Sequence, residues 1–363
     1  MTRLTGHAYP WDVLGDPSFA ARVRDHGIGD VTLACAYHSV RAATPLHPRH
    51  QVVTAHTSAL YRPVRPEAWA DHRLAPAPAT WLDAPDPFRT AAKSLTASGL
   101  GVTAWVVLTH NSRLGQACPD VAVVNCFGDV YPHALCPRWP EVRRYAADLA
   151  AEAVRDVDLA GVLLESWGQQ GVTHGSMHDK TAGAWSPTTV RLLSVCCCAA
   201  CRQAWDLDPE YVVLTLRDAI RNNVDIPEDM AGHIRLARAD AAAGLLAQVV
   251  DAVSPDVPVT VFTDPDPWAA APVSAVDGRV TTAVVTAWST SPTRAEAVAS
   301  VRKTLPSSMT VGAYVTVLPP VDPADLPAHV ERLLTAGAQQ LNMYHLGLAA
   351  ADRQHALGGW MGL

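Results

Sequence analysis

The sequence predicts a (β/α)8 barrel with long decorated βα loops, and three observations carry that prediction. Eight short apolar runs of strand length recur along the chain. Helical stretches separate most successive runs, and polar or aromatic residues stand where each run stops. The competitor, a doubly wound open sheet, would place a Gly-rich phosphate loop after an early strand, yet neither G-x-G-x-x-G nor a P-loop motif occurs.

The first run is Arg3 to Tyr9, carrying His7 and Tyr9. Asp16 as N-cap and Pro17 at the first helical position start a helix that reaches His26. The second run, Val31 to Tyr37, ends at His38, and a Pro- and His-rich excursion follows in which Gln51 to His56 forms an extra extended segment. A helix from Pro87 to Ser98, stopped by Gly99, leads to the third run, Val102 to Leu108, with His110 and Asn111 after it. Val142, Tyr145, Leu149 and Ala153 recur at helical spacing between Pro140 and Asp156. The fourth run, Leu159 to Glu165, follows.

Pro209 to Arg221 and Pro227 to Val253 read as helices. Val257 to Thr263 is the fifth run, ending at Asp264, and Thr282 to Ala287 is the sixth, ending at Trp288. Helix Thr293 to Thr304 precedes the seventh, Thr310 to Val317. Helix Pro323 to Ala336 precedes the eighth, Gln339 to Tyr344, which is followed by His345 and a terminal helix. A barrel with such loops reaches this length as one unit, so a single domain over residues 1–363 is expected, with insertions at about 39–86, 111–139 and 167–208.

Composition narrows the function classes. A hydrophobic fraction of 49% against 17% charged residues describes a globular chain, and no apolar segment is long enough to span a bilayer. The formal charge of −7 offers no basic footprint, and Lys occurs only at Lys93, Lys180 and Lys303, so no nucleic-acid partner is expected. Residues from Met1 onward enter strand-like sequence without a signal core, which points to the cytoplasm.

The fourth run carries the sharpest chemical signal. Gly161-Val162-Leu163-Leu164 is a buried-strand pattern that stops at Glu165, followed by Ser166, Trp167 and Gly168. Barrel active sites lie where strands run into their following loops, so Glu165 is expected at the mouth. The same rim collects His7, Tyr9, His38, His110, Asp264, Trp288, Tyr344 and His345. Several histidines delivered to one rim point to a binding site in a way that a single one does not. Their neutral donors and acceptors suit the hydroxyls of a small carbohydrate or glycoside. His174 and His178 extend this set from the loop after Glu165. Trp167, Trp185, Trp268 and Trp288 offer flat faces for stacking on a sugar ring, a role expected for two of the four.

Eight cysteines are present, and Cys196, Cys198 and Cys201 form C-x-C-x2-C beside Cys197. Thiolates at that spacing suit a structural zinc, with Cys126 or Cys136 as the fourth ligand from another loop. The alternative is that these residues are small buried hydrophobes. No thiol is paired with a base, so none is assigned a catalytic role.

A barrel whose fourth strand ends in Glu, as Gly161-Val162-Leu163-Leu164-Glu165 does, resembles the large clan of retaining glycoside hydrolases. The Cys196 to Cys201 cluster is similar to a cysteine-rich insertion in hydrolase-like proteins of actinobacteria. The resemblance implies that Glu165 is a general acid/base. It also implies a nucleophilic Glu at the end of the seventh strand, and here the chain departs, because Tyr314-Val315-Thr316-Val317-Leu318 holds no carboxylate. Asp264 is the nearest replacement, with Asp129 and Asp179 on loops. A spacing of about 5 Å between two carboxyls suits a covalent intermediate, and roughly 6.5–9.5 Å an inverting water.

The expected activity is therefore glycoside hydrolysis with Glu165 as proton donor and Asp264 as nucleophile or base, needing no cofactor for catalysis. Two alternatives stand beside it. His7, His38, His110, His174, His178 and His345 with a carboxylate would suit a metal-dependent sugar hydrolase or isomerase, although the first strand lacks a paired H-x-H. A barrel that binds carbohydrate without turnover would equally lack the seventh-strand carboxylate.

Overall fold

The computed structural model describes residues 2–173, 179–181 and 183–358. Eight parallel strands close on themselves: β1 (Arg3–Ala8), β2 (Asp30–Tyr37), β3 (Gly101–Val107), β4 (Gly161–Glu165), β5 (Val259–Thr263), β6 (Thr282–Thr286), β7 (Thr310–Thr316) and β8 (Gln340–Tyr344). Each pairs with its successor and β8 returns to β1, with Arg3 beside Gln340 and Gly6 beside Met343. This is the (β/α)8 barrel that the apolar runs predict, with every strand within two residues of its expected place.

Seven helices follow the same order: α1 (Phe19–Asp25), α2 (Pro87–Ala97), α3 (Pro140–Val154), α4 (Glu228–Ala252), α5 (Thr293–Thr304), α6 (Leu326–Thr335) and α7 (Ala351–Gly358). Asp86 caps α2 by accepting from the Arg89 amide, and Gly99 turns the chain away at φ +79°. Asp16 is not the cap of α1. Its carboxylate accepts the Ser18 amide and pairs with Arg22, closing the turn before the helix. Between β5 and β6 a short 3-10 turn, Val273–Ala275, stands where a helix would be.

Alternation along the strands divides the side chains into two sets. Outward residues such as Val102, Ala104, Val106, Val162 and Leu164 are buried against the surrounding helices. Each contributes about 1.5–3 kcal/mol as a buried aliphatic, and the smaller alanine less. Inward residues fill the barrel in layers drawn from alternate strands. His7, Trp105, Phe262 and Tyr314, from β1, β3, β5 and β7, form one ring layer: His7 lies 4.7 Å from Trp105 and 4.5 Å from Tyr314, and Phe262 lies 4.7 Å from Tyr314. The even strands supply Tyr37, Glu165, Thr286 and Tyr344, which all open onto the cavity above that layer. At the opposite end, threonines including Thr5, Thr103, Thr260 and Thr310 line a hydroxyl-rich well of about 290 Å³.

The loops at the mouth carry the decorations. Val40–Ala43 and Val52–Ala55 form an antiparallel hairpin, so the extended segment expected there is one arm of it. A second hairpin, Ala122–Val124 with Val130–Leu135, follows β3. Helices Pro187–Leu193, Ala199–Gln203 and Pro209–Asn222 follow β4; the first and third pack around a separate apolar cluster that includes Leu192, Val212 and Leu216, and the second joins the cluster of Cys136, Cys196 and Cys198. Among the described residues no helix is long and apolar enough to cross a membrane.

Candidate active site

Glu165 is the last residue of β4 and stands partly buried in a cavity of about 400 Å³. Its in-register neighbour on β3 is Val107, so Trp105 lies one inward position lower, and its indole leans up the barrel to reach the acid. Trp105 Nε1 donates to Glu165 Oε2 at 2.7 Å. Burial among apolar rings pushes the Glu165 carboxyl up to about 7, and the indole hydrogen bond opposes that rise. Near neutral pH this group can therefore both release and accept a proton.

The walls are aromatic. Tyr37, Tyr314 and Tyr344 surround the acid, and desolvation holds the Tyr37 and Tyr314 phenols well above their usual range and raises that of Tyr344, so they stay neutral hydroxyls. Tyr314 Oη is buried without a hydrogen-bond partner. Trp288 stands on the rim, 41% exposed, and stacks on Tyr344 at 4.8 Å and 29°. His38 also lines the cavity, with its ring between Tyr37 at 4.2 Å and His110 at 4.4 Å.

The chain leaves Glu165 through a tight crossover. Ser166 adopts a left-handed backbone at φ 56°, and its carbonyl accepts from the Thr109 amide at 3.1 Å. Trp167 turns inward, fully buried, and donates from Nε1 to the Phe262 carbonyl at 2.8 Å. Gly168 passes so close to the loop after β5 that a Cβ would sit 1.7 Å from the Ala270 oxygen, so only glycine fits.

The expected residues are distributed unevenly. Glu165, His38, Trp167, Trp288 and Tyr344 line the cavity together. His7 and Tyr9 do not. His7 is fully buried within the ring layer, with its imidazole depressed to about 3 by desolvation. Tyr9 is sealed between Trp11 at 4.4 Å and His345 at 4.3 Å. His110 packs behind His38. His345 is buried 3.8 Å from Asp12. Asp264 turns into its own loop, accepting the Asp266 amide at 2.9 Å with Arg294 at 3.6 Å, and is not part of the cavity wall. His174 and His178 lie outside the described residues.

Trp185, Asp129 and Asp179 border a different cavity of about 600 Å³, walled by the insertions rather than by strand ends. Though larger, it lacks the acid and the barrel's convergence of strand ends. Trp268 is flanked by Arg191 at 5.3 Å and Arg235 at 5.5 Å, a packing role. Trp105, Tyr37 and Tyr314 line the cavity and are residues that strand-end reading passes over. They occupy inward positions of β3, β2 and β7, and period-two alternation is the signal that finds them.

The cysteines divide cleanly. Cys136, Cys196, Cys198 and Cys201 are buried with their sulfurs within 4.8 Å of one another, a set able to hold a metal ion. Cys136 and Cys201 sulfurs are 3.5 Å apart, and Cys198 and Cys136 3.8 Å. Cys126 and Cys197 belong instead to the apolar cluster of the insertion helices. Among the described residues, this is the group of three or more His, Cys, Asp or Glu placed to share an ion; the strand-end histidines do not converge in that way.

No family model matches the chain, and no curated protein sequence does either. Solved structures do. The PgaB (BpsB) glycoside hydrolase domain from Bordetella bronchiseptica is 16% identical with a TM-score of 0.59, the match covering 99% of each chain. The catalytic domain of a beta-amylase from Paenibacillus polymyxa is 10% identical with a TM-score of 0.57, over 99% of this chain and 97% of that one. An alpha-L-fucosidase isoenzyme 2 from Paenibacillus thiaminolyticus is 13% identical with a TM-score of 0.59; this chain is covered in full but spans only 49% of the fucosidase. At such identities the likeness is one of fold: all share with this chain the closed barrel of eight parallel strands with helices outside it.

Proposed function

We propose that this chain is a carbohydrate-active enzyme of the glycoside hydrolase type, with Glu165 as its general acid/base. One observation carries the reading. A carboxyl whose proton affinity is raised to about 7 stands at the end of β4, inside an aromatic cavity at the barrel's C-terminal mouth. In this reading Trp288 and Tyr344 receive the face of a pyranose, and His38, Gln170 and the tyrosine hydroxyls grip its oxygens. Neutral Glu165 gives its proton to the departing glycosidic oxygen, and the resulting carboxylate takes one from the incoming water. Asp264 can act as the second carboxylate only by leaving Arg294 and the Asp266 amide.

In the same reading the four cysteines hold a structural zinc. A tetrahedron with Zn–S bonds of about 2.3 Å has S···S edges of about 3.8 Å, and the 3.5 and 3.8 Å separations fit that edge. The ion would brace the insertions and takes no part in the proton transfers.

The test is turnover of a panel of aryl glycosides by the purified chain and by Glu165→Gln. Cleavage by the parent with at least about a hundredfold loss in the variant supports the assignment; equal turnover by both removes it. A second reading, binding without turnover, is favoured by one feature: Glu165 is the only carboxylate among the described residues lining the cavity. Calorimetric sugar binding with no product formed would decide for it.

A further inference from the structure

We propose that Gln169 is a positioning residue that ties Glu165 to the four-cysteine centre, so that metal occupancy of that centre sets the placement of the acid. The inference rests on the zinc reading above and not on glycoside turnover. Gln169 is 1% exposed and spends its whole side-chain amide on this junction. Its Nε2 donates to Cys201 Sγ at 3.4 Å and more weakly to Cys136 Sγ at 3.9 Å. Its Oε1 accepts from the Cys196 amide at 3.3 Å and from Arg238 Nη1 at 2.6 Å. A primary amide has two N–H donors and two acceptor lone pairs, so this one is saturated.

Arg238 supplies an independent sign. Its guanidinium is buried, and its acceptors are Gln169 Oε1 and the carbonyls of Gln169, Ser194 and Trp268, none of them charged. A buried cation held only by neutral oxygens is costly unless a countercharge lies near. Four thiolates around a divalent ion carry a net double negative charge, and Gln169 is the group that stands between that charge and Arg238. A loaded centre thus supplies Arg238 with a nearby countercharge, adding to that of Asp266.

The connection to the acid is short. Gln169 lies four residues after Glu165, and no slack separates them. Its amide is bonded to the Ala270 carbonyl at 3.2 Å, Gly168 is pressed against the same oxygen, and Trp167 is anchored to Phe262. A displaced Gln169 therefore moves the strand end that carries Glu165, whose carboxyl accepts the Trp105 indole N–H.

The experiment reads that bond directly, as the Trp105 indole N–H resonance in the full chain, assigned by its loss in Trp105→Phe. Glu165→Ala marks its position without the carboxylate. Zinc content is measured first, and a chain that binds no zinc overturns the proposal. With zinc bound, removal by a chelator under reducing conditions is expected to carry the resonance at least halfway to the Glu165→Ala position, and returned zinc to restore it. Gln169→Ala, zinc still bound, is expected to do the same, while the indole resonances of Trp69 and Trp81 stay in place. A Trp105 resonance unmoved in either preparation overturns the proposal. Should one preparation unfold, the other decides.

Discussion

Replacing Glu165 by Gln should make the protein more stable at alkaline pH and leave its acid stability unchanged. The cause is the placement of the carboxyl. Burial raises it from the ordinary glutamate value of 4.5 to about 7, so the folded chain holds a proton that the unfolded chain releases. Its stabilising contribution is complete below 4.5 and disappears as pH rises through about 7. At about 1.4 kcal/mol per pH unit that interval corresponds to about 3 kcal/mol, and the partial opening of the carboxyl to the cavity brings it nearer to about 2. The neighbouring phenols of Tyr37, Tyr314 and Tyr344 are held above their usual range and do not titrate in the interval. The assay is denaturant unfolding of parent and Glu165→Gln from about pH 4 to about pH 8. The variant should gain about 2–3 kcal/mol on the parent across that range, mostly between pH 5 and 7.5. A difference that stays flat would refute the claim that Glu165 is buried and proton-rich.

Three further outcomes follow from the same geometry. Trp288→Ala should weaken sugar binding by about two- to tenfold, the worth of one stacked ring, with little change in thermal midpoint because the side chain is largely on the rim; calorimetry and a melt read the two effects. If glycosides are turned over, kcat/KM should fall about tenfold per pH unit above about 7 as the acid loses its proton, and Asp264→Asn should leave that limb in place with activity within about tenfold of the parent. Cys198→Ser should abolish bound zinc and cost several kcal/mol of stability, whereas Cys126→Ser, outside the four-sulfur set, should retain the ion; metal analysis separates them.

The barrel was legible because parallel strands buried on both faces are near-continuous apolar runs that stop abruptly. Gly161 to Glu165 shows this plainly, and the position of Glu165 at the mouth followed from it. Depth within the barrel was not legible. His7 and Tyr9 stand at a strand end like Glu165, yet Trp105 and Tyr314 enclose His7 while Trp11 and His345 cover Tyr9, and linear order carries no sign of those long-range contacts. Asp264 also follows its strand directly, but a side-chain bond to its own loop turns it aside, a choice made by local turn chemistry. The C-x-C-x2-C spacing identified three of the four clustered cysteines; whether Cys126 or Cys136 completes the set depends on the hairpin that follows β3, a long-range matter. The partnership of Trp105 with Glu165 joins adjacent strands far apart in sequence, and only their register exposes it.

The most direct measurement is a crystal structure of the chain soaked with a monosaccharide or an iminosugar. The account predicts a ring seated against Trp288 and Tyr344, with a ligand oxygen or nitrogen within hydrogen-bond distance of a Glu165 oxygen. A ligand found instead only in the insertion cavity beside Trp185 and Asp129, with the space around Glu165 holding solvent, would contradict it.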